Sequence, residues 1–156
     1  MGCGKTTIGR RLAEKLSLPY TDMDEYITEN CKMSVPQIFE QKGENFFRQA
    51  ETNAIAELSR KGGIISCGGG AMLRQENADI ANKSGVVVYI DVGFEICYGR
   101  ICDDKNRPIV VANTKEQLLE LYNTRSAVYM KNSKIHVLGE DTPENVVKLI
   151  IAELSA

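Results

Sequence analysis

The apolar residues of this 156-residue chain switch repeatedly between two spacings. Over 6–16, Ile8, Leu12 and Leu16 recur four apart, as on one face of a helix. A short strand is expected over 18–23, then one or two helical turns over 24–30. Ser34, with Gln37 three residues on, has the form of a capping box, so a short helix follows and stops at Gly43. A longer helix is expected over 44–60 with Phe47, Ala50, Ala54 and Leu58 inward. Gly62-Gly63 breaks it, and 64–67 reads as a buried strand running into Gly68-Gly69-Gly70. Residues 86–91 make the clearest strand, near-continuously apolar as parallel strands buried on both faces are. Helix is expected over 94–102, a polar, mobile loop over 103–113 around Asn106-Arg107-Pro108, and helix again from a Thr114 cap to about residue 130. A strand over 134–138 and a helix opened by Thr142-Pro143 complete the pattern. Helices alternating with strands predict an α/β fold, a parallel sheet flanked by helices. No repeat or linker divides 1–156, which reads as one domain.

Ahead of the first helix stands Gly2-Cys3-Gly4-Lys5-Thr6-Thr7, the back half of G-x-x-x-x-G-K-[ST], the loop that cradles nucleotide phosphates. Gly4 lets backbone approach a phosphate, Lys5 brings an ammonium to the β- and γ-phosphates, and the Thr6 hydroxyl suits Mg²⁺. A helix starting near Thr6 aims free N–H groups and its positive dipole end at the same anion. The first glycine of the pattern would stand two positions before Met1, and a phosphate loop follows a buried strand. About ten upstream residues, a strand of roughly 5–6 among them, are therefore expected beyond this chain, which reads as truncated inside the loop.

Composition narrows the classes. A 43% hydrophobic and 26% charged chain is globular, and a net charge of −2 offers no bulk attraction to nucleic acid or an anionic membrane. No apolar run is long enough to cross a bilayer. The first helix holds Lys5, Arg10, Arg11, Glu14 and Lys15, so no signal peptide is expected. Five cysteines, an odd number at spacings of neither a disulfide framework nor a zinc site, predict free thiols and a cytoplasmic location. Cys3 is expected to contribute its backbone N–H. The single histidine, His136, is expected to be structural.

Ligands of open α/β sheets bind beyond the carboxyl ends of strands. The phosphate loop, Asp22-x-Asp24 and the glycine triplet all fall there. One of the two carboxylates suits Mg²⁺, through water, and the other suits a substrate hydroxyl. The spacing equally allows Asp24 to do no more than cap the next helix. The triplet is either a backbone surface for a ligand or a plain flexible turn. Arg48 and Arg125 have the guanidinium forks that match a carboxylate, although either alone is more often a solvated charge. Glu51 is placed to pair with Arg48 along one helix face.

In this order and spacing, Gly2-Cys3-Gly4-Lys5-Thr6-Thr7, Asp22-Met23-Asp24, Ile38-Phe39, Gly43-Glu44, Phe47-Arg48-x-x-Glu51, Gly68-Gly69-Gly70, Arg107-Pro108 and Arg125 with Tyr129 resemble the shikimate kinases over essentially the whole chain. The resemblance implies a three-layer P-loop kinase fold and ATP- and Mg²⁺-dependent phosphorylation of the shikimate 3-hydroxyl to shikimate 3-phosphate, a step of aromatic amino-acid biosynthesis. By position, Asp24 would bind shikimate hydroxyls and act as base, with Lys5 and Arg107 as the other catalytic groups. Arg48 and Arg125 would hold the carboxylate, and Gly69 and Gly70 would supply backbone contacts. Gly2, Cys3, Gly4, Lys5, Thr6 and Thr7 would bind ATP with Arg107, which comes from a lid over about 103–114, and with Arg100 against the adenine. Thr6, and Asp22 through water, would hold the metal.

Two features depart from the family. The usual Arg-Pro-Leu-Leu of the lid is Arg107-Pro108-Ile109-Val110, an apolar exchange. The family's first strand is its central one, between the strands ending at Cys67 and starting near Val86. Its loss would leave backbone groups unpaired at roughly 1–3 kcal/mol each, against a domain stability of about 5–15 kcal/mol. The chain as written is expected to fold poorly or lack activity, and an upstream-extended form to be active; a cooperative melt of the 156-residue chain with normal turnover would overturn this. Competing readings are a kinase of another small hydroxylated acid such as gluconate, and an inactive nucleotide-binding paralogue. With no apolar surface stripe in the sequence, a monomer is expected.

Overall fold

The computed structural model describes residues 1–104 and 108–156. The elements run α1 (Lys5–Leu16), β1 (Tyr20–Asp22), α2 (Met23–Cys31), α3 (Val35–Lys42), α4 (Glu44–Lys61), β2 (Ile64–Ser66), a 3₁₀ turn (Ala71–Leu73) and α5 (Gln75–Ser84). Then come β3 (Val88–Asp91), α6 (Phe94–Ile101), α7 (Pro108–Val111), α8 (Lys115–Asn132), β4 (Ile135–Leu138) and α9 (Pro143–Ser155). Both capping boxes form: Ser34 with Gln37 opens α3, and Thr114 with Gln117 opens α8.

All strand pairing is parallel. β1 pairs with β2, Asp22 opposite Ser66, and β3 pairs with β4, Asp91 opposite Leu138. Among the described residues β2 and β3 do not pair with each other, so the strands form two two-stranded ladders. Side chains alternate across them. Ile64, Val88, Ile90 and Ile135 pack on the cluster that α1 and α9 build from Ile8, Leu12, Val146, Val147 and Ile150. Ile65, on the opposite face, joins a second cluster of Met23, Ile27, Ile38, Phe47, Ala54, Ile55, Leu58 and Ala71. The result is helix, strand and helix in three layers.

The structure corrects three readings. No element was expected over 71–85, yet the 3₁₀ turn and α5 stand there, held by the buried Asn77, whose Nδ2 donates to the Ala71 carbonyl at 2.8 Å. That stretch is largely polar, and Asn132, sixty residues further on, adds a bond from Nδ2 to the Met72 carbonyl at 2.8 Å. The 86–91 strand is not buried on both faces: every β3 residue is half-buried and Val86 is 45% exposed, since β3 pairs along one edge only. The 103–113 loop contains the helical turn α7, and Arg107 lies outside the described residues. No described helix is long and apolar enough to cross a membrane.

Candidate active site

At the carboxyl end of the first ladder lies the glycine loop that opens α1. Gly2 and Gly4 take positive φ, +60° and +84°, a region open to glycine at little cost. α1 begins at Lys5 with Gly4 as its N-cap, and no side chain bonds the first-turn N–H groups as a cap. The loop is anchored from both sides. Arg100 Nη1 donates to the Gly2 carbonyl at 2.9 Å, and Ser66 Oγ donates to the Lys5 carbonyl at 3.2 Å. Beside it lies a cavity of about 260 Å³ lined by Cys3, Gly4, Thr7, Ile8, Arg100, Gly139, Asp141 and Pro143.

The two aspartates separate in role. Asp22 is the N-cap of α2, its Oδ1 accepting from the Asp24 and Glu25 N–H groups at 3.0 and 3.4 Å. Asp24 therefore does not cap the helix; it stands in the first turn with its carboxylate against Gly68, where a Cβ would lie 2.7 Å from Oδ1. Burial, then the Asp22 charge, raise the Asp24 carboxyl above its ordinary value, while Lys5 and Arg48 pull it down.

The glycine triplet is a meeting point. A Cβ on Gly70 would overlap Arg48 Nη1, and one on Gly69 would sit 3.6 Å from Arg125 Nη1. Arg48 donates from Nη1 to the buried Glu51 at 2.8 Å and from Nη2 to Glu44 at 3.1 Å. Its guanidinium stays charged: burial opposes this, and the bonds to Glu51 and Glu44 outweigh it. Arg125 Nε is buried with no hydrogen-bond partner among the described residues. Cys67 is pushed up to about 12 by burial and stays a thiol. No group of three His, Cys, Asp or Glu residues among those described forms a metal cage.

Asp22, Asp24, Arg48, Gly69, Gly70 and Arg125 thus lie around one turn, and Gly2, Cys3, Gly4, Thr7 and Arg100 around the phosphate loop. Lys5 links the two, its charge felt by both Asp24 and Cys67. Sequence reasoning missed Gly139 and Asp141, read Pro143 only as a helix start, and missed the Arg74 contact to the Arg48 carbonyl at 3.2 Å. It gave Tyr129 no role. His136 bonds Asp91 Oδ2 at 3.2 Å and stacks on Tyr89.

A glycine loop opening a helix, with parallel strands between helical layers and two arginines and a carboxylate at one glycine turn, has the layout of the P-loop kinase class. Residues 1–155 match the family described as "Shikimate kinase", and the chain belongs to the shikimate kinase family. It is 37% identical to the shikimate kinase of Aquifex aeolicus over 155 residues, 99% of this chain and 91% of the relative. It is 38% identical to that of Ralstonia nicotianae over 157 residues, 99% and 83% of the two chains. The crystal structure of the Aquifex aeolicus shikimate kinase superposes with a TM-score of 0.88 at 38% identity, covering 99% of this chain and 92% of that one. The Acinetobacter baumannii enzyme in complex with shikimate gives 0.84 at 32%, covering 98% and 89%.

Proposed function

We propose that this chain transfers the γ-phosphoryl group of ATP to the 3-hydroxyl of shikimate, giving ADP and shikimate 3-phosphate for aromatic amino-acid synthesis. The observation that supports it most is the convergence of Asp24, Arg48 and Arg125 on three consecutive glycines at a strand end. A hydroxylated carboxylic acid asks for that donor set: two guanidinium forks for the carboxylate, one carboxylate for a hydroxyl, and backbone for close approach.

In this reading the first-turn N–H groups of α1 and Lys5 hold the ATP phosphates, and the cavity beside Arg100, Gly139, Asp141 and Pro143 takes the adenine. Asp24 accepts the proton of the 3-hydroxyl as that oxygen bonds to the γ-phosphorus and the bond to the β-phosphate oxygen breaks. Arg107, in a lid over about 103–114, adds positive charge on the resemblance alone. Thr6 and Asp22, which keeps Oδ2 free of its capping bonds, suit a Mg²⁺ that retains water; the ion would neutralise phosphate charge. Most of the rate comes from positioning and charge. We place the enzyme in the cytoplasm as a monomer.

The test is ADP release with ATP and Mg²⁺, with and without shikimate, and with gluconate as a rival acceptor. Shikimate-dependent release is expected from the upstream-extended form, and release with normal turnover from the 156-residue chain itself would overturn the expectation that it folds poorly or lacks activity. Release dependent on gluconate, or none with any acceptor despite ATP binding, overturns the reading.

A further inference from the structure

We propose that Tyr129 is a positioning residue of the acceptor site, its hydroxyl holding the Gly69 carbonyl and thereby fixing the direction of the Gly70 N–H. The inference rests on reading the glycine turn as the shikimate site.

Three glycines in succession have no side chain to limit their backbone, so each peptide unit keeps its orientation only through what it bonds. The Gly68 carbonyl accepts from the Ala71 N–H at 3.1 Å and the Gly70 carbonyl from the Leu73 N–H at 3.3 Å, both local turns. The Gly69 carbonyl instead accepts from a side chain sixty residues further along, the Tyr129 hydroxyl. The Gly69 carbonyl and the Gly70 N–H belong to one planar trans unit and point in opposite directions. Anchoring the carbonyl on α8 therefore turns the N–H away from α8.

The same hydroxyl ties the backbone half of the site to its side-chain half. Arg125 precedes Tyr129 by one turn of α8, and both reach the Gly69 α-carbon: a Cβ there would meet Arg125 Nη1 at 3.6 Å and the Tyr129 oxygen at 3.7 Å. Tyr129 is itself braced, its ring 5.6 Å from that of Tyr89, whose hydroxyl donates to Asp91 Oδ1 at 3.2 Å. Burial raises the Tyr129 phenol above its ordinary value, with Arg125 pulling the other way, so it remains a donor at working pH.

Tyr129→Phe keeps the ring and removes the bond. Tyr122→Phe is the comparison, since Tyr122 donates from the same helix to the Val92 carbonyl at 2.9 Å and does not meet the turn. Tyr129→Phe is expected to raise KM for shikimate roughly 3- to 10-fold, the size of one neutral hydrogen bond, with KM for ATP unchanged. Tyr122→Phe is expected to lower Tm and leave both KM values alone. A Tyr129→Phe enzyme with the parent KM for shikimate overturns the proposal, as does an equal shift of both KM values in both variants. A parent protein with no shikimate-dependent turnover overturns the functional reading first and this inference with it.

Discussion

Arg48 donates to Glu51 at 2.8 Å, and Glu51, three residues along α4, is 1% exposed. The Arg48 guanidinium at the glycine turn is therefore braced by a buried carboxylate. Burial pushes Glu51 up, opposed by the bond to Arg48. Glu51→Gln leaves the volume and removes the charge. A hydrogen bond to a charged group is worth roughly 1.5–3 kcal/mol, so kcat/KM for shikimate is expected to fall about ten-fold or more while KM for ATP holds. Steady-state kinetics in both substrates read this directly; an unchanged shikimate term would show that Glu44 alone suffices.

Asp24→Asn separates chemistry from stability. The folded protein raises the Asp24 carboxyl above the 3.8 of an ordinary aspartate, chiefly by burial. Folded protein thus holds that proton more tightly than unfolded chain, and the ionised form weakens the fold. The penalty is absent below pH 3.8, grows as pH rises towards the folded value and is complete above it. Asn mimics the protonated form. The variant should lose turnover yet melt higher than the parent at pH 7, with the gain vanishing below about pH 4. Melts across that range decide it, and a variant that melts lower at pH 7 would refute the sign.

Two glycine substitutions should fail in different ways. Gly70 has φ −89°, ordinary for any residue, and an added Cβ would strike only the Arg48 guanidinium. Gly70→Ala is expected to fold normally and raise KM for shikimate. Gly2 has φ +60°, and its Cβ would lie 2.6 Å from the Cys97 carbonyl oxygen, which is backbone and cannot step aside. Gly2→Ala should cost at least the roughly 1–2 kcal/mol of a left-handed alanine. Denaturant midpoints measured beside KM distinguish the two; equal stability would falsify the assignment.

Arg100→Ala removes both a wall of the 260 Å³ cavity and the 2.9 Å bond to the Gly2 carbonyl. A cation over an aromatic base and one hydrogen bond each contribute about 0.5–2 kcal/mol, so ATP binding should weaken roughly 10-fold. Titration calorimetry with ATP and separately with shikimate is the check. Weakening of shikimate instead would move Arg100 to the acceptor pocket.

Local signals were legible wherever cause and effect lie within a few residues. The spacing of Ile8, Leu12 and Leu16, the boxes at Ser34 and Thr114, and the stop at Gly43 all act across one helical turn, and each forms as expected. Asp22 and Asp24 show the boundary. Their spacing left open whether Asp24 merely caps the next helix, and the structure gives that cap to Asp22, whose backbone is extended at the strand end. The stretch after the glycine triplet was not legible. Asn77 and Asn132 donate there to the Ala71 and Met72 carbonyls, and neither bond leaves a periodic trace.

By itself the sequence determined the alternation of helix and strand, the phosphate loop and the set of residues able to handle a small acid. These follow from local propensity, side-chain periodicity and motif spacing, all readable along one dimension. The tertiary structure alone decided that Arg48, Arg125 and Asp24 meet at one turn, that Gly139, Asp141 and Pro143 close a cavity with Arg100, and that Tyr129 holds Gly69. Those contacts join residues dozens of positions apart. They exist because apolar faces of α1, α4 and α9 pack on the strands and bring strand ends together, a result of burial summed over the whole chain.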